Sequence, residues 1–594
     1  MNSFLRSTLL ALTVALPLAT RAQCPAVGTE IRVGTGTITK TPGFDLPAGT
    51  TTWTRNNIYV LDGTVYVPSG ATLTIEAGTI VKGDKANQGT LVVQRGGRLI
   101  ANGTATQPIV FTSSVVAGSR QPGDWGGIIL LGRAPINLAG SPSIEGAAFG
   151  TKGEFGGTDP ADNSGSLQYV RIEFPGIAFQ VNNEVNGLTM GGVGHGTTIN
   201  HVQVSNSGDD AFEWFGGTVN AKYLVAQSSV DDDYDTDNGF SGRVQFALAL
   251  RDPSRGDIAT GGVSNGVESD NDANGTATTL LTSSVFSNFT ILLPPATSPA
   301  SPFNNAAGLL IRRNSSQSVF NSIVAGRRFG VELNSNSSNL TQTNAQSGSL
   351  VLANNIFIDV PFTATNFTTS RAGRSSYSSG VTPLAGFLIN EFVATGNDTT
   401  QTIATLGLNA DNYNFEGNCS ANRACVPVFG LPAASPATTG AAFTNTKLTG
   451  AGNGGPNNTF DVVSFRGAFG PAGTAAGTWA NGWTNFNPQI TCYNVAGQTL
   501  SNRTVINAPL EALTVSPNPT EGAAALGFNV KRATTATVRV LDVLGREVAS
   551  VLKAGKLAAG PQSLALPATL APGVYIATVA TTEGVQSVRF VVTK

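Results

Sequence analysis

Histidine, methionine and charge are scarce in this 594-residue chain, which has two His, two Met and only 12% Asp, Glu, Lys and Arg. The two histidines, His195 and His201, are too few for a His-based metal centre, and nothing nearby supplies the nucleophile a triad needs. A charged fraction near half of the ordinary ~25% argues against long solvated helices. The formal net charge of −2 provides no basic field, so no nucleic-acid partner is expected. Beyond the N-terminus no apolar run approaches the ~20 residues of a membrane-crossing helix, so no transmembrane segment is expected.

What is abundant are turn and strand formers: 70 Gly and 30 Pro, with many Thr, Asn, Ser and Val. From Ile58 onward, short β-runs such as Ile58–Leu61, Gly63–Val67, Ala71–Ile75 and Leu91–Val93 are cut every few residues by Gly, Pro or Asn. Coils of a parallel β-helix require this, because each strand pairs with the coil below and the turns need residues tolerant of positive φ. Further on, His201–Glu213 lies over Tyr223–Asp235 with an offset of 22 (231 − 209 and 223 − 201), about one such coil. Later runs at 284–292, 318–324 and 350–357 extend the solenoid past residue 360. The expected fold is all-β: a parallel β-helix solenoid over residues 23–507, with a looser capping region from about 365, then a small C-terminal β-sandwich over 508–594.

The 22-residue register sets Asp209 over Asp231, Asp210 over Asp232 and Glu213 over Asp235. Coils stack about 4.8 Å apart, where two unit charges repel by roughly 3 kcal/mol at an effective dielectric of 20. A hard divalent cation relieves that repulsion, and carboxylates with Asn oxygens are calcium's ligands. Calcium is therefore the candidate cofactor, with Asp209, Asp210, Glu213, Asp231, Asp232, Asp233, Asp235 and Asp237 as candidate ligands and Asn238 beside them. The alternative is a hydrated acidic turn. Paired carboxylates also serve glycoside hydrolysis, which makes Asp209, Asp210 and Asp232 catalytic candidates. Ser207-Gly208-Asp209-Asp210 and Gly194-His195-Gly196 resemble fragments of the polygalacturonase signature, but in reversed order and without a closing Arg-Ile-Lys. A calcium-dependent lyase would need a basic residue, for which Lys222, Arg243 and Arg251 are at hand. Trp214 and Phe215 cannot both point inward in a regular strand, so one of them is a candidate glycan contact, whereas Phe212 and Tyr234 are expected to stack in the core.

Four cysteines in an exported protein read as two disulfides. Three connectivities are open to them; because Cys419 and Cys425 enclose a tight loop, their pairing, with Cys24 joined to Cys492, is the preferred one. Export is indicated at both ends. Met1–Ala22 has Arg6, an apolar stretch Leu9–Leu18 and small residues before Gln23, the pattern of a signal peptide. The end carries Ser516-Pro517-Asn518-Pro519, the alternating Ala536–Val543, Gly545-Arg546, Leu570-Ala571-Pro572-Gly573-Val574-Tyr575-Ile576 and Val588–Lys594. Their order resembles the type A C-terminal sorting domain of the type IX secretion system, with Pro517, Asn518, Pro519, Gly545, Gly573, Tyr575 and Lys594 as its motif positions. The early coils resemble bacterial right-handed, pectin-lyase-like β-helix proteins. Gly123–Gly132, Gly156-Gly157-Thr158-Asp159-Pro160 and Phe465–Phe469 resemble recurring blocks of large type IX secreted β-helix proteins.

The resemblance implies passage through the periplasm to the outer surface or medium. It also implies the type IX translocon and its C-terminal signal peptidase as partners, and a passenger that is shed or held by surface lipopolysaccharide. The passenger is expected to bind a polysaccharide or to serve a structural or adhesive surface role. The alternative is a calcium-dependent polysaccharide lyase or glycoside hydrolase.

Overall fold

The computed structural model describes residues 24–38, 43–146, 149–180, 183–252, 255–257, 262–277, 279–293, 307–325, 329–335, 341–358, 373–377, 395–408, 428–500, 510–530, 532–542, 546–581 and 584–593. The expected signal peptide, and Cys419, Cys425, Gly545 and Lys594, lie outside them. The chain divides into two units, residues 1–501 and 502–594.

The first unit is a parallel β-helix. Among the described residues one sheet has 16 strands and a second has 11, and neighbours in both pair in parallel. In the first sheet Thr198–Ser205 pairs Ala221–Gln227, which pairs Arg243–Leu250. In the second, Leu188–Gly191, Phe212–Phe215, Tyr234–Asp237, Val267–Ser269 and Ala307–Ile311 succeed one another. Phe212 faces Tyr234 and Glu213 faces Asp235, the 22-residue register read from the sequence. Alternation then sends Phe212, Trp214, Tyr234 and Thr236 into the core, and Phe212 stacks on Tyr234 at 5.4 Å.

Long strands of the first sheet bend where one residue per coil adopts a left-handed backbone: Tyr169, His201, Tyr223, Phe246, Asn288, Asn321 and Asn354, with φ of 51–61°. Such a conformation costs an L-residue about 1–2 kcal/mol. Here side-chain stacking offsets the cost. The rings of Tyr169 and His201 lie 4.3 Å apart, His201 and Tyr223 4.4 Å, and Tyr223 and Phe246 5.1 Å. Burial in this stack pushes His201 down to about 4.

The region expected to cap the helix does something else. Residues 428–500 lie along the flank of the solenoid: they descend from the coil of Asn321 to that of Ile199 by residue 457, climb back to Asn321 at residue 467, and then run down to the first coils. Asn321 exchanges two hydrogen bonds with the backbone of Ala442 (3.1 and 2.9 Å), Gln245 two with Asp461 (2.9 and 2.8 Å), and Gln203 two with Asn485 (2.9 and 2.7 Å). Arg120 then donates to the carbonyls of Pro488 and Thr491, and Cys492 closes a disulfide with Cys24 across 468 residues. A return strap, rather than a cap, follows from outward Gln and Asn amides, which must find backbone partners once buried.

The second unit is a small β-sandwich of two antiparallel sheets. One is formed by Leu510–Ser516, Ala525–Val530 and Gly560–Ala565; the other by Glu547–Leu557, Thr534–Asp542, Gly573–Thr581 and Gly584–Val592. Leu526, Val538, Val540, Ala577, Val579 and Phe590 fill its core. Of the motif positions, Pro517, Asn518 and Pro519 follow the first strand, and Asn518 accepts from the backbone of Val591 at 3.0 Å. Gly573 opens its strand, and the Tyr575 hydroxyl donates to the Ala571 carbonyl at 2.8 Å. No helix among the described residues is long and apolar enough to cross a membrane.

Candidate cation site

Outward-facing positions of the second sheet carry the acids. Glu213, Asp235 and Glu268 occupy one column, because Asp235 faces Glu213 below and Glu268 above. The turns entering these strands hold a second column. Asp210 accepts the backbone N–H of Asp232 at 2.7 Å, Asp232 accepts that of Asn265, and Asn265 accepts that of Ala307 at 3.1 Å. Each side chain thus ties its turn to the coil above, which holds the carboxylates in register.

Three triads result: Asp209, Asp210 and Asp231; Asp210, Glu213 and Asp235; and Asp232, Asp235 and Glu268, with ligand atoms within 4.8 Å of one another in each. Asp210, Glu213, Asp232 and Glu268 are buried, while Asp209, Asp231 and Asp235 stay partly exposed. Burial, reinforced by the neighbouring acids, pushes Asp209, Asp210, Glu213, Asp231, Asp235 and Glu268 well above the usual carboxylate range. Around them are oxygens with no hydrogen-bond partner among the described residues: Asp235 Oδ1, Asn186 Oδ1 and Thr189 Oγ1, the last two on fully buried side chains. Thr189 sits directly below Glu213, and the Asn186 amide donates to both Glu213 and Glu145. An all-oxygen donor set with an excess of negative charge suits a hard divalent cation.

The remaining predicted residues are placed elsewhere. Asp233 is fully buried in an ion pair with Arg251 at 3.0 Å. Asp237 lies one outward step further along its strand, where burial and Asp270 push it up to about 7. Asn238 is buried beside it, its backbone bonded to the Asp237 carboxylate. Trp214 and Phe215 are both buried, so neither offers a face to a glycan. Trp214 stacks inward on Phe240 at 5.3 Å, and Phe215 points outward against Phe155 at 6.2 Å. The expectation of one exposed ring fails because the outward side here is roofed by an insertion that follows strand Gly127–Leu131.

None of the three lyase bases is available. Lys222 pairs with Asp461 of the strap at 2.8 Å, and Arg243 donates to the carbonyls of Asn458 and Gly450. Arg251 serves Asp233 and the carbonyls of Ser229, Asp231 and Asn265. His195 lies against Gly454 and Gly455 of the strap. The sequence reading missed Glu268, Glu145, Asn186 and Thr189. A 22-residue step from Asp235 points to residue 257, but that coil is longer and its true partner is 268 (268 − 235 = 33).

Comparison with protein families finds two matches. A pectate-lyase-like β-helix domain matches residues 46–406, and a secretion-system C-terminal sorting domain matches residues 514–593. No curated protein matches the chain.

Proposed function

From the premise that the chain belongs to the pectate-lyase-like β-helix family and ends in a secretion-system sorting domain, we propose that its passenger is a calcium-holding, glycan-binding protein. Type IX export delivers it to the cell surface or medium. Its acidic ladder works as a cation-dependent binding surface, and it does not cleave. The observation that carries this reading is the spacing of the carboxylates: ligand atoms fall within 4.8 Å in overlapping triads. The engagement of Lys222, Arg243 and Arg251 supports binding over elimination, which needs a free base near the cation. Calcium held by one of these triads would offset two of the ladder's charges and, with three protein carboxylates as ligands, leave coordination positions for hydroxyl or carboxylate oxygens of a polysaccharide.

The test incubates the protein with plant, algal and bacterial polysaccharides in calcium and in EDTA, scoring both retention on the polymer and release of reducing or unsaturated ends. Asp210→Asn runs alongside, since Asn keeps the acceptor for the Asp232 backbone while removing the charge. Calcium-dependent retention without product is expected. Product formation abolished by EDTA and by Asp210→Asn would overturn the reading and make the ladder an active site.

A further inference from the structure

We infer that the protein has a second, cation-independent glycan site, in the cleft between Arg133 and the turn Gly156–Asp159, which takes a sugar unit bearing one carboxylate or sulfate. This rests on the reading of the passenger as a glycan binder, and does not depend on the acidic ladder. The cleft measures about 500 Å³ and is lined by Arg95, Arg133, Gly156, Gly157, Thr158 and Asp159, a size in the range of ligand sites (~300–1,000 Å³). One wall is the Gly-Gly-Thr-Asp-Pro stretch noted in the sequence, whose Pro160 end is anchored to the coils by the His195 N–H and the Thr218 hydroxyl while Thr158 and Asp159 stay exposed.

The two arginines do different work. Arg95 matches its charge with Glu154 at 2.5 Å and donates to Ser141 Oγ and the Gly156 carbonyl at 3.1 and 3.2 Å, which fixes the wall. Arg133 is exposed, and its guanidinium makes one long hydrogen bond of 3.5 Å, from Nη2 to the Arg95 carbonyl. Among the described residues no carboxylate forms an ion pair with it. Its seat is the turn at Gly96, φ +84°, where a Cβ would come within 2.4 Å of Nη2. The opposite wall is tied down by Gly156 N–H to the Gly132 carbonyl (2.9 Å), Gly157 N–H to Ala134 (3.1 Å) and Asp159 N–H to Arg133 (2.9 Å).

Asp159 spends Oδ1 on the Ala161 N–H at 3.0 Å, which leaves Oδ2 to accept a hydroxyl. The exposed Thr158 hydroxyl can donate or accept beside it. A guanidinium with no ion-pair partner among the described residues, its charge felt only through space by Asp162, rests on the Gly96 turn beside a carboxylate and a hydroxyl and complements a single anionic group flanked by sugar hydroxyls. The charge of Asp159 disfavours a diphosphate or another dense polyanion.

The experiment measures binding of oligosaccharides from polygalacturonate, a sulfated galactan and a neutral galactan to the full-length protein in EDTA, by calorimetry. Arg133→Ala, Arg133→Lys, Gly96→Ala and Asp210→Asn are compared, with circular dichroism to confirm the fold. Expected are binding of a charged oligosaccharide over the neutral one, and a loss of roughly ten- to hundredfold in Arg133→Ala. Arg133→Lys should lose less, and Gly96→Ala should weaken binding by displacing the guanidinium. Preference for the carboxylated or the sulfated probe assigns the anion. Equal binding of the neutral galactan, no binding in EDTA, or unchanged affinity in Arg133→Ala would each overturn the site. Binding that appears only with calcium and vanishes in Asp210→Asn would do so while leaving the ladder's role standing.

Discussion

Replacing Arg251 with Met should destabilise the solenoid by about 3–5 kcal/mol at pH 8, the usual consequence of stranding one member of a buried ion pair. The side chains of Arg251 and Asp233 are both 0% exposed and 3.0 Å apart. The same guanidinium also serves the carbonyls of Ser229 at 3.2 Å and Asn265 at 2.9 Å, and that of Asp231, so the loss belongs at the upper end. Equilibrium urea unfolding in EDTA, followed by tryptophan fluorescence, measures it. Burial already pushes Asp233 up to about 7 despite the arginine beside it, and without Arg251 its folded value rises further. A carboxyl raised in the folded state contributes stability that is present below its unfolded value and is lost as pH rises through the folded one. The penalty at pH 5, where Asp233 protonates, should therefore be smaller than at pH 8. The double variant Arg251→Met, Asp233→Leu should recover much of the loss, because no buried charge remains. A loss below about 1 kcal/mol at pH 8, or one that is the same at pH 5, would refute this account of the pair.

Other perturbations have equally definite outcomes. In EDTA the thermal midpoint should fall as pH rises from the ordinary carboxylate range through about 7, where Asp237 ionises. Calcium at a hundred times its dissociation constant should restore about 2.7 kcal/mol and flatten that slope. Cys492→Ser opens a loop spanning 468 residues; chain entropy sets ~6 kcal/mol as an upper bound, and a loss of about 2–5 kcal/mol is expected in urea unfolding. Asn321→Ala or Gln245→Ala removes two strap hydrogen bonds. Each should cost about 1–3 kcal/mol and speed proteolytic nicking between residues 440 and 465, which limited proteolysis with mass spectrometry would detect.

How far the chain could be read depended on whether the information was periodic. The Phe212–Tyr234 stack and the Glu213–Asp235 pairing were legible because two successive coils share one length, so a single offset aligns them. Glu268 was illegible because the next coil carries extra residues, and an offset cannot anticipate a loop. Asn186 and Thr189 were hidden for another reason: they lie one coil below the ladder, just before and within the strand Leu188–Gly191, which has no acid to mark it. The burial of Phe215 depends on an insertion folding over it from another part of the chain. The strap escaped because its bonds run from Gln and Asn side chains to backbone atoms, which any residue supplies. The C-terminal strands, with their alternation of half-buried and buried residues in Ala525–Val530, were legible without any partner segment.

The disulfide between the opening of the solenoid and the end of its strap acts as a length gauge. From residue 467 onward the strap descends past fixed stations: 467 at 321, 468 at 290, 485 at 203 and 488 at 120. A missing or slipped coil would displace every station beyond it and carry Cys492 away from Cys24 by about one coil spacing, ~4.8 Å. Cα atoms 5.5 Å apart would then exceed the ~7 Å limit for a bridge. Oxidation therefore records that the stack from the first coil to that of Asn321 has been counted correctly, and a thiol assay on the exported protein reads out the fidelity of its assembly.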